Sequence, residues 1–174
     1  PGVPDIYQGN EIWDFSLVDP DNRRPVDYGM RKHMLGGLAG ATREDLLGNW
    51  RDGRIKLFLT QRLLTFRREN AELFAAGSYV PLQVTGELAA CCIAFAREWN
   101  NQAIVVLAPR LSSKVGFPPI GEKWRDTAVQ LPDSFTGGSD LFTGAAIKAT
   151  AGAVALAQAF ARLPFAVWEV RQDD

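Results

Sequence analysis

The sequence predicts an α+β chain: a long polar loop, then helices, then an antiparallel β-sandwich. Three observations lead there. Ile55, Phe58, Leu59, Leu63 and Phe66 recur at spacings of three and four, which lines one face of a helix. From residue 78 onward, short apolar runs alternate with turn-forming Gly, Pro and Thr, the pattern of several short strands. Residues 1–28 show neither period; Asp, Asn, Arg, Pro and aromatic residues crowd them instead.

In chain order, residues 3–7 read as the end of a buried strand that Gln8, Gly9 and Asn10 break. An acidic, proline-punctuated loop follows through Pro25; loops this long are usually functional or lack their structural context. Residues 26–76 read as helical. Thr42 and Asp45 resemble a capping box ahead of Leu46 and Leu47. Asp52 is placed to cap the helix that carries the apolar stripe. Lys56, Arg62, Arg67 and Arg68 lie mostly off that stripe, and the basic residues near its end suit a helix C-terminus. Asn70 starts a short helical turn that Gly77 ends. The expected strands are residues 79–84, 91–96, 104–107, 128–131 and 164–170. Cys91, Ile93 and Phe95 alternate there with Cys92, Ala94 and Ala96. Gly137-Gly138 and Gly152 are expected in tight turns. In residues 151–161 the alanines favour helix, whereas the position between strands favours sheet; we assign strand.

Hydrophobic residues make up 47% and charged ones 22%, a balance that lets the chain bury a core. The formal net charge is -1, so no basic excess points to nucleic acid or to an anionic membrane. No apolar run reaches the roughly 18 residues of a transmembrane helix, and the start carries no signal-peptide pattern. Pro1 and the residues after it read as the interior of something longer, so we expect a fragment. Cys91 and Cys92 are neighbours in a predicted strand, where side chains point to opposite faces; that geometry disfavours a bridge, and free thiols suit a reducing cytoplasm. His33, the one histidine, reads as an ordinary helix residue. No nucleophile elbow, zinc spacing or Gly-rich phosphate loop occurs. Trp99, Trp124 and Trp168 read as core or contact residues before surface sugar platforms.

The chemistry-bearing residues therefore concentrate in the opening loop. Asp5, Glu11, Asp14, Asp19, Asp21 and Asp27 are interleaved with Asn22, Arg23 and Arg24 and with Tyr7, Trp13, Phe15 and Tyr28. Carboxylates, amides and guanidinium forks hydrogen-bond sugar hydroxyls, and aromatic faces cover the apolar C–H patches. On composition alone, a solvated acidic loop closed by Arg–Asp pairs fits equally well.

The order of the residues favours the sugar. Residues 1–11, Pro-Gly-Val-Pro-Asp-Ile-Tyr-Gln-Gly-Asn-Glu, resemble the eighth strand and following turn of the α-amylase superfamily of (β/α)8 barrels. Residues 19–28, Asp-Pro-Asp-Asn-Arg-Arg-Pro-Val-Asp-Tyr, resemble the signature of one of its families, the maltooligosyl trehalose synthases. Looser likenesses follow. Residues 56–73 are similar to that family's last barrel helix and residues 78–82 to the start of its C-terminal sheet domain. Residues 95–97 and 124–127 are similar to parts of the same sheet domain.

The resemblance implies the last strand and helices of a barrel in residues 1–76 and a C-terminal all-β sandwich in residues 77–174. It implies an enzyme that turns the reducing-end α-1,4 linkage of a maltooligosaccharide into an α,α-1,1 linkage by intramolecular transglucosylation, in trehalose biosynthesis, without metal or organic cofactor. The scheme is a retaining one, in which a sugar hydroxyl replaces water. The catalytic carboxylates of the superfamily come from earlier strands, so no residue here, Asp5 and Glu11 included, is assigned a catalytic role. The chain alone is expected to be inactive and to pack against the missing barrel portion in a cytoplasmic protein. Gln8, Asn10, Glu11, Asn22, Arg23 and Arg24 are the candidate substrate-binding residues, with a purely architectural role for Arg23 and Arg24 as the alternative. Two other readings remain at this point: a stand-alone carbohydrate-binding or interaction sandwich, and a fragment of another superfamily enzyme such as an α-glucosidase or amylosucrase.

Overall fold

The computed structural model describes residues 7–17 and 19–172. Of the strand expected at residues 3–7, only Tyr7 lies among them. The chain divides into two compact units, residues 1–65 and 66–174.

The first unit holds the polar loop, α1 (Tyr28–Gly37), α2 (Arg43–Gly48) and most of α3 (Arg54–Glu69). Local signals start each helix. The Asp27 carboxylate accepts the Met30 N–H at 2.8 Å, the Thr42 hydroxyl accepts the Asp45 N–H at 3.0 Å, and Asp52 accepts the Arg54 N–H at 2.9 Å. The reciprocal half of the capping box is replaced, because the Asp45 carboxylate takes Asn49 Nδ2 at 2.8 Å and Arg54 Nη1 at 3.0 Å. Ile12, Leu38, Leu46, Ile55, Leu57 and Phe58 are buried. Gly53 has φ +85°, and a Cβ there would meet Ile12 Cβ at 2.8 Å. Glycine thus permits both the left-handed turn and the close approach of the loop. Lys56 Nζ donates to the Ile12 carbonyl at 3.0 Å, and Trp13 Nε1 donates to the Trp50 carbonyl at 2.6 Å. An otherwise polar loop is thereby anchored at Ile12 and Trp13.

The second unit holds the end of α3, α4 (Ala71–Ala76) and two antiparallel sheets. In chain order the strands are β1 (Ser78–Pro81), β2 (Val84–Thr85), β3 (Cys92–Trp99), β4 (Gln102–Pro109), β5 (Ala128–Gln130), β6 (Phe135–Asp140), β7 (Ala153–Ala155) and β8 (Ala166–Gln172). The larger sheet runs β1-β3-β4-β8-β6 and the smaller β2-β5-β7. Period-two alternation on β4 sends side chains into two clusters. Ala103, Val105 and Leu107 join Val129 and Val154 of the small sheet, with Trp124, Phe160 and Trp168. Ile104 joins Phe66 and Leu73, with Val106 and Phe74 beside them. Arg97 reaches from β3 to close the C-terminus of α4, donating Nη2 to the Phe74 carbonyl at 3.0 Å and the Gly77 carbonyl at 2.7 Å.

Several expectations are corrected. Residues 79–84 do not form one strand. Leu82 N–H still bonds the Ala94 carbonyl at 3.0 Å, but the Gln83 carbonyl takes the Gln130 N–H at 2.9 Å, so the chain crosses from one sheet to the other. Gly137 and Gly138 lie within β6, not in a turn; a Cβ on Gly138 would stand 2.2 Å from the Glu169 carbonyl oxygen of the adjacent strand. Residues 151–161 are a strand only at β7, after which the chain turns into a short helix. A short helix α5 (Ser112–Val115) lies between β4 and β5, and α6 (Leu156–Ala159) follows β7, where it buries Leu156 and carries the chain to a buried Phe160 four residues on. Cys91 ends a single helical turn before β3, so both cysteines are buried in one core as free thiols. Burial pushes the Cys92 thiol up to about 12. Gly152 does sit in a turn, with φ +76°. Trp124 and Trp168 are core residues.

After β6, one carboxylate organises a turn. Asp140 Oδ1 accepts the Thr143 N–H at 2.8 Å, the Thr143 hydroxyl at 2.8 Å and the Phe142 N–H at 3.1 Å. Burial nevertheless raises this carboxyl above the usual carboxylate range, against the pull of those donors. A carboxyl raised in the folded state holds its proton more tightly there than in the unfolded chain. Its stabilising contribution is full below the unfolded pKa and lost as pH rises through the folded one.

Two outcomes follow from this packing. Trp124 is fully buried, donates Nε1 to the Pro119 carbonyl at 2.8 Å and packs at a tilt against Phe160, ring centroids 5.0 Å apart. Trp124→Ala lowers the stability of the sheet unit by about 3–5 kcal/mol, read from the urea midpoint by near-ultraviolet circular dichroism. Asp140→Asn removes one titration, so as pH rises from about 4 the variant loses less stability than the parent. Parallel plots of urea midpoint against pH would exclude that contribution.

Candidate functional site

The loop of the first unit forms an open concavity of about 580 Å³. Gln8, Asn22, Arg23 and Arg24 line it together with Tyr7, Asp14 and Arg31. Four of the six candidate residues are thus brought to one surface. Asn10 and Glu11 sit in the adjoining turn and are not among its lining residues.

Each side chain has a local reason for its position. The single helical turn Asp21–Arg23 follows Pro20. Across it, Arg23 pairs with Asp19, Nη2 to Oδ2 at 2.8 Å, and Arg24 pairs with Asp21. Both guanidiniums are largely exposed, at 74% and 69%. The Asp21 carboxylate also accepts the Leu17 N–H at 3.0 Å. That N–H first, and then Arg24, hold the Asp21 carboxyl below the usual carboxylate range. Hydrogen bonds from the side chain and backbone of Ser16 do the same for Asp14. The concavity therefore presents Asp14 and Asp19 beside the guanidiniums of Arg23 and Arg24, a set that can exchange hydrogen bonds with a polyhydroxylated ligand. Tyr28 donates its hydroxyl to Gln8 Oε1 at 2.8 Å, which orients the Gln8 amide.

Glu11 is differently employed. Its Oε2 accepts from Arg31 Nε at 3.2 Å, and its Oε1 faces the Gly9 N–H at 3.4 Å. Composition did not single out Arg31, because it stands on α1, outside the acidic run. The signal that points to it is its place four residues after Asp27, in the first turn of a helix whose start the loop must meet.

Phe15 and Leu17 flank the concavity in sequence and are 84% and 78% exposed. The sheet unit has its own cavity of about 220 Å³, lined among others by Asp140, Thr143, Gln158, Arg162 and Trp168. Among the described residues, no group of three His, Cys, Asp or Glu side chains is placed to hold a metal ion. No helix among them is long and apolar enough to cross a membrane.

No protein-family profile matches the chain. Two curated relatives do, both called putative maltooligosyl trehalose synthase, from two strains of Mycobacterium tuberculosis. Each is 39% identical over 165 residues, covering 94% of this chain and 18% of the relative. Two solved structures of maltooligosyltrehalose synthase from Arthrobacter ramosus, one of them a mutant, superpose with TM-scores of 0.75 and 0.74 at 35% identity. The superpositions cover 98% of this chain and 20% of theirs. The chain thus spans about a fifth of the length of the proteins it matches, and over nearly all of its own length it is a homologue of the maltooligosyl trehalose synthases.

Proposed function

We propose that this chain is the C-terminal part of an enzyme that converts the reducing-end α-1,4 linkage of a maltooligosaccharide into an α,α-1,1 linkage. Homology over 94% of the chain carries the assignment. The concavity bounded by Gln8, Asn22, Arg23 and Arg24 supports it from the site. In this reading residues 1–76 end a (β/α)8 barrel and residues 77–174 form a C-terminal β-sandwich, in a cytoplasmic protein. The loop stands at the C-terminal end of a barrel strand, where such barrels place their working loops.

The chain's own part in the reaction is to bind and orient. A carboxylate pair from the remainder of the enzyme performs the retaining chemistry, one as nucleophile and one as acid and then base. The glucose released from the chain end has to stay in place and turn before its hydroxyl attacks. Arg23, Arg24 and Asn22 offer donors for its hydroxyls, and the acids beside the two arginines orient their guanidiniums. Phe15 and Leu17, exposed in this chain, supply an apolar surface for the rest of the barrel to cover.

The test replaces the matching fifth of the Arthrobacter ramosus enzyme with this chain. The chimaera is expected to form non-reducing ends from maltopentaose, and this chain alone to form none. A chimaera that folds and leaves maltopentaose untouched contradicts the assignment. Arg24→Ala in the chimaera is expected to lower turnover by about tenfold or more, the scale of one lost charged hydrogen bond, with little change in thermal midpoint. Equal turnover would remove Arg24 from the site.

A further inference from the structure

Arg31 differs from the two arginines of the rim. Its side chain is 16% exposed, and it bridges parts of the chain about twenty residues apart. Nη2 donates to the Gly9 carbonyl at 2.5 Å, Nε to Glu11 Oε2 at 3.2 Å, and Nη1 to the Asp27 carbonyl at 3.1 Å. Glu11 Oε1 in turn faces the Gly9 N–H, so Gly9, Glu11 and Arg31 form a closed ring of hydrogen bonds. Gly9 has φ +98°, and a Cβ there would stand 2.8 Å from Val26 Cγ2. The absence of a side chain therefore brings the turn against the segment that leads into α1. Tyr28, from the same helical turn, holds Gln8.

We propose that Arg31 is a positioning residue for transglucosylation: it ties both ends of the substrate loop together and so sets where the rim groups Gln8, Asn22, Arg23 and Arg24 stand. The inference rests on the function proposed above. The geometry suits arginine specifically, since three acceptors in different directions are met by one planar fork. A lysine ammonium is a point charge and reaches them less well. The consequence for the reaction follows from competition. A released glucose that is held in line re-attacks; one that is misplaced by an ångström loses about a hundredfold in transfer rate. Attack by water needs no such alignment of a second hydroxyl. Loosening the loop should therefore lower transfer more than hydrolysis.

The experiment has two arms. In the chimaera, trehalose-ended product is measured against free glucose from maltopentaose, together with kcat and KM, for the parent, Arg31→Lys and Arg31→Ala. The expected result is a fall of about tenfold or more in the ratio of transfer to hydrolysis for Arg31→Ala, with Arg31→Lys between it and the parent. A ratio that stays constant while both products fall together means that Arg31 only supports folding, and overturns the proposal. In this chain alone, amide hydrogen exchange at Gly9 and Asn10 is expected to rise about tenfold or more in Arg31→Ala, while β4 amides keep their protection. Unchanged exchange at Gly9 and Asn10 removes Arg31 as the tie, whatever the chimaera does. A folded parent chimaera with neither product overturns the proposed function, and the positioning role falls with it.

Discussion

The sheet unit depends on one strand being buried on both faces. β4 sits in the middle of the five-stranded sheet, and its alternate residues enter two separate apolar clusters. Ala103, Val105 and Leu107 hold the small sheet and the aromatic pair Trp124–Phe160; Ile104 holds the end of α3 and α4. A shift of register by one residue would exchange these sets, setting small and β-branched side chains against the wrong partners. Arg97 depends on the same register. It stands opposite Ile104 on the neighbouring strand, and that face of β3 is where α4 ends.

How much of this was legible follows from which forces were local. The α3 stripe and the caps at Thr42 and Asp52 could be read because periodicity and capping act within a few residues. Residues 92–96 were legible as a strand from their alternation and residues 104–107 from a continuous apolar run, whereas Cys91 belongs to the helical turn before β3. The crossing at Leu82 and Gln83, the strand at Gly137 and Gly138, and the single turn of α6 were not. Each is decided by a partner far away in sequence: Gln130, Glu169 and Thr127 respectively. Glycine and alanine carry almost no side-chain signal, so tertiary contacts settled their state.

The loop was legible as chemistry but not as geometry. Its acids, amides and guanidiniums stand out in composition, and the order of residues 19–28 suggested the family to which the chain proves homologous. Sequence could not divide those groups by task. Glu11 was a candidate for substrate, yet its carboxylate is taken up by Arg31 and faces Gly9. Arg31 was not singled out by composition; only its place four residues after Asp27, in the first turn of a helix, marks it, and that says nothing of the Gly9 carbonyl it meets.

The division of labour in the loop has a physical basis in exposure. The Arg23–Asp19 and Arg24–Asp21 pairs lie open to solvent, where an ion pair gains little over hydration. Such pairs hold a loop in shape and can still exchange partners with hydroxyl groups at small cost. The Arg31 guanidinium is mostly shielded and serves two backbone carbonyls and a carboxylate, so its removal would strand acceptors that water reaches poorly. A rim of exchangeable ion pairs on a base of committed hydrogen bonds is the arrangement that lets a polar loop keep its shape while its outer groups stay open to solvent. It also explains why the loop is anchored through Ile12 and Trp13, the short stretch where apolar burial and backbone carbonyls were at hand.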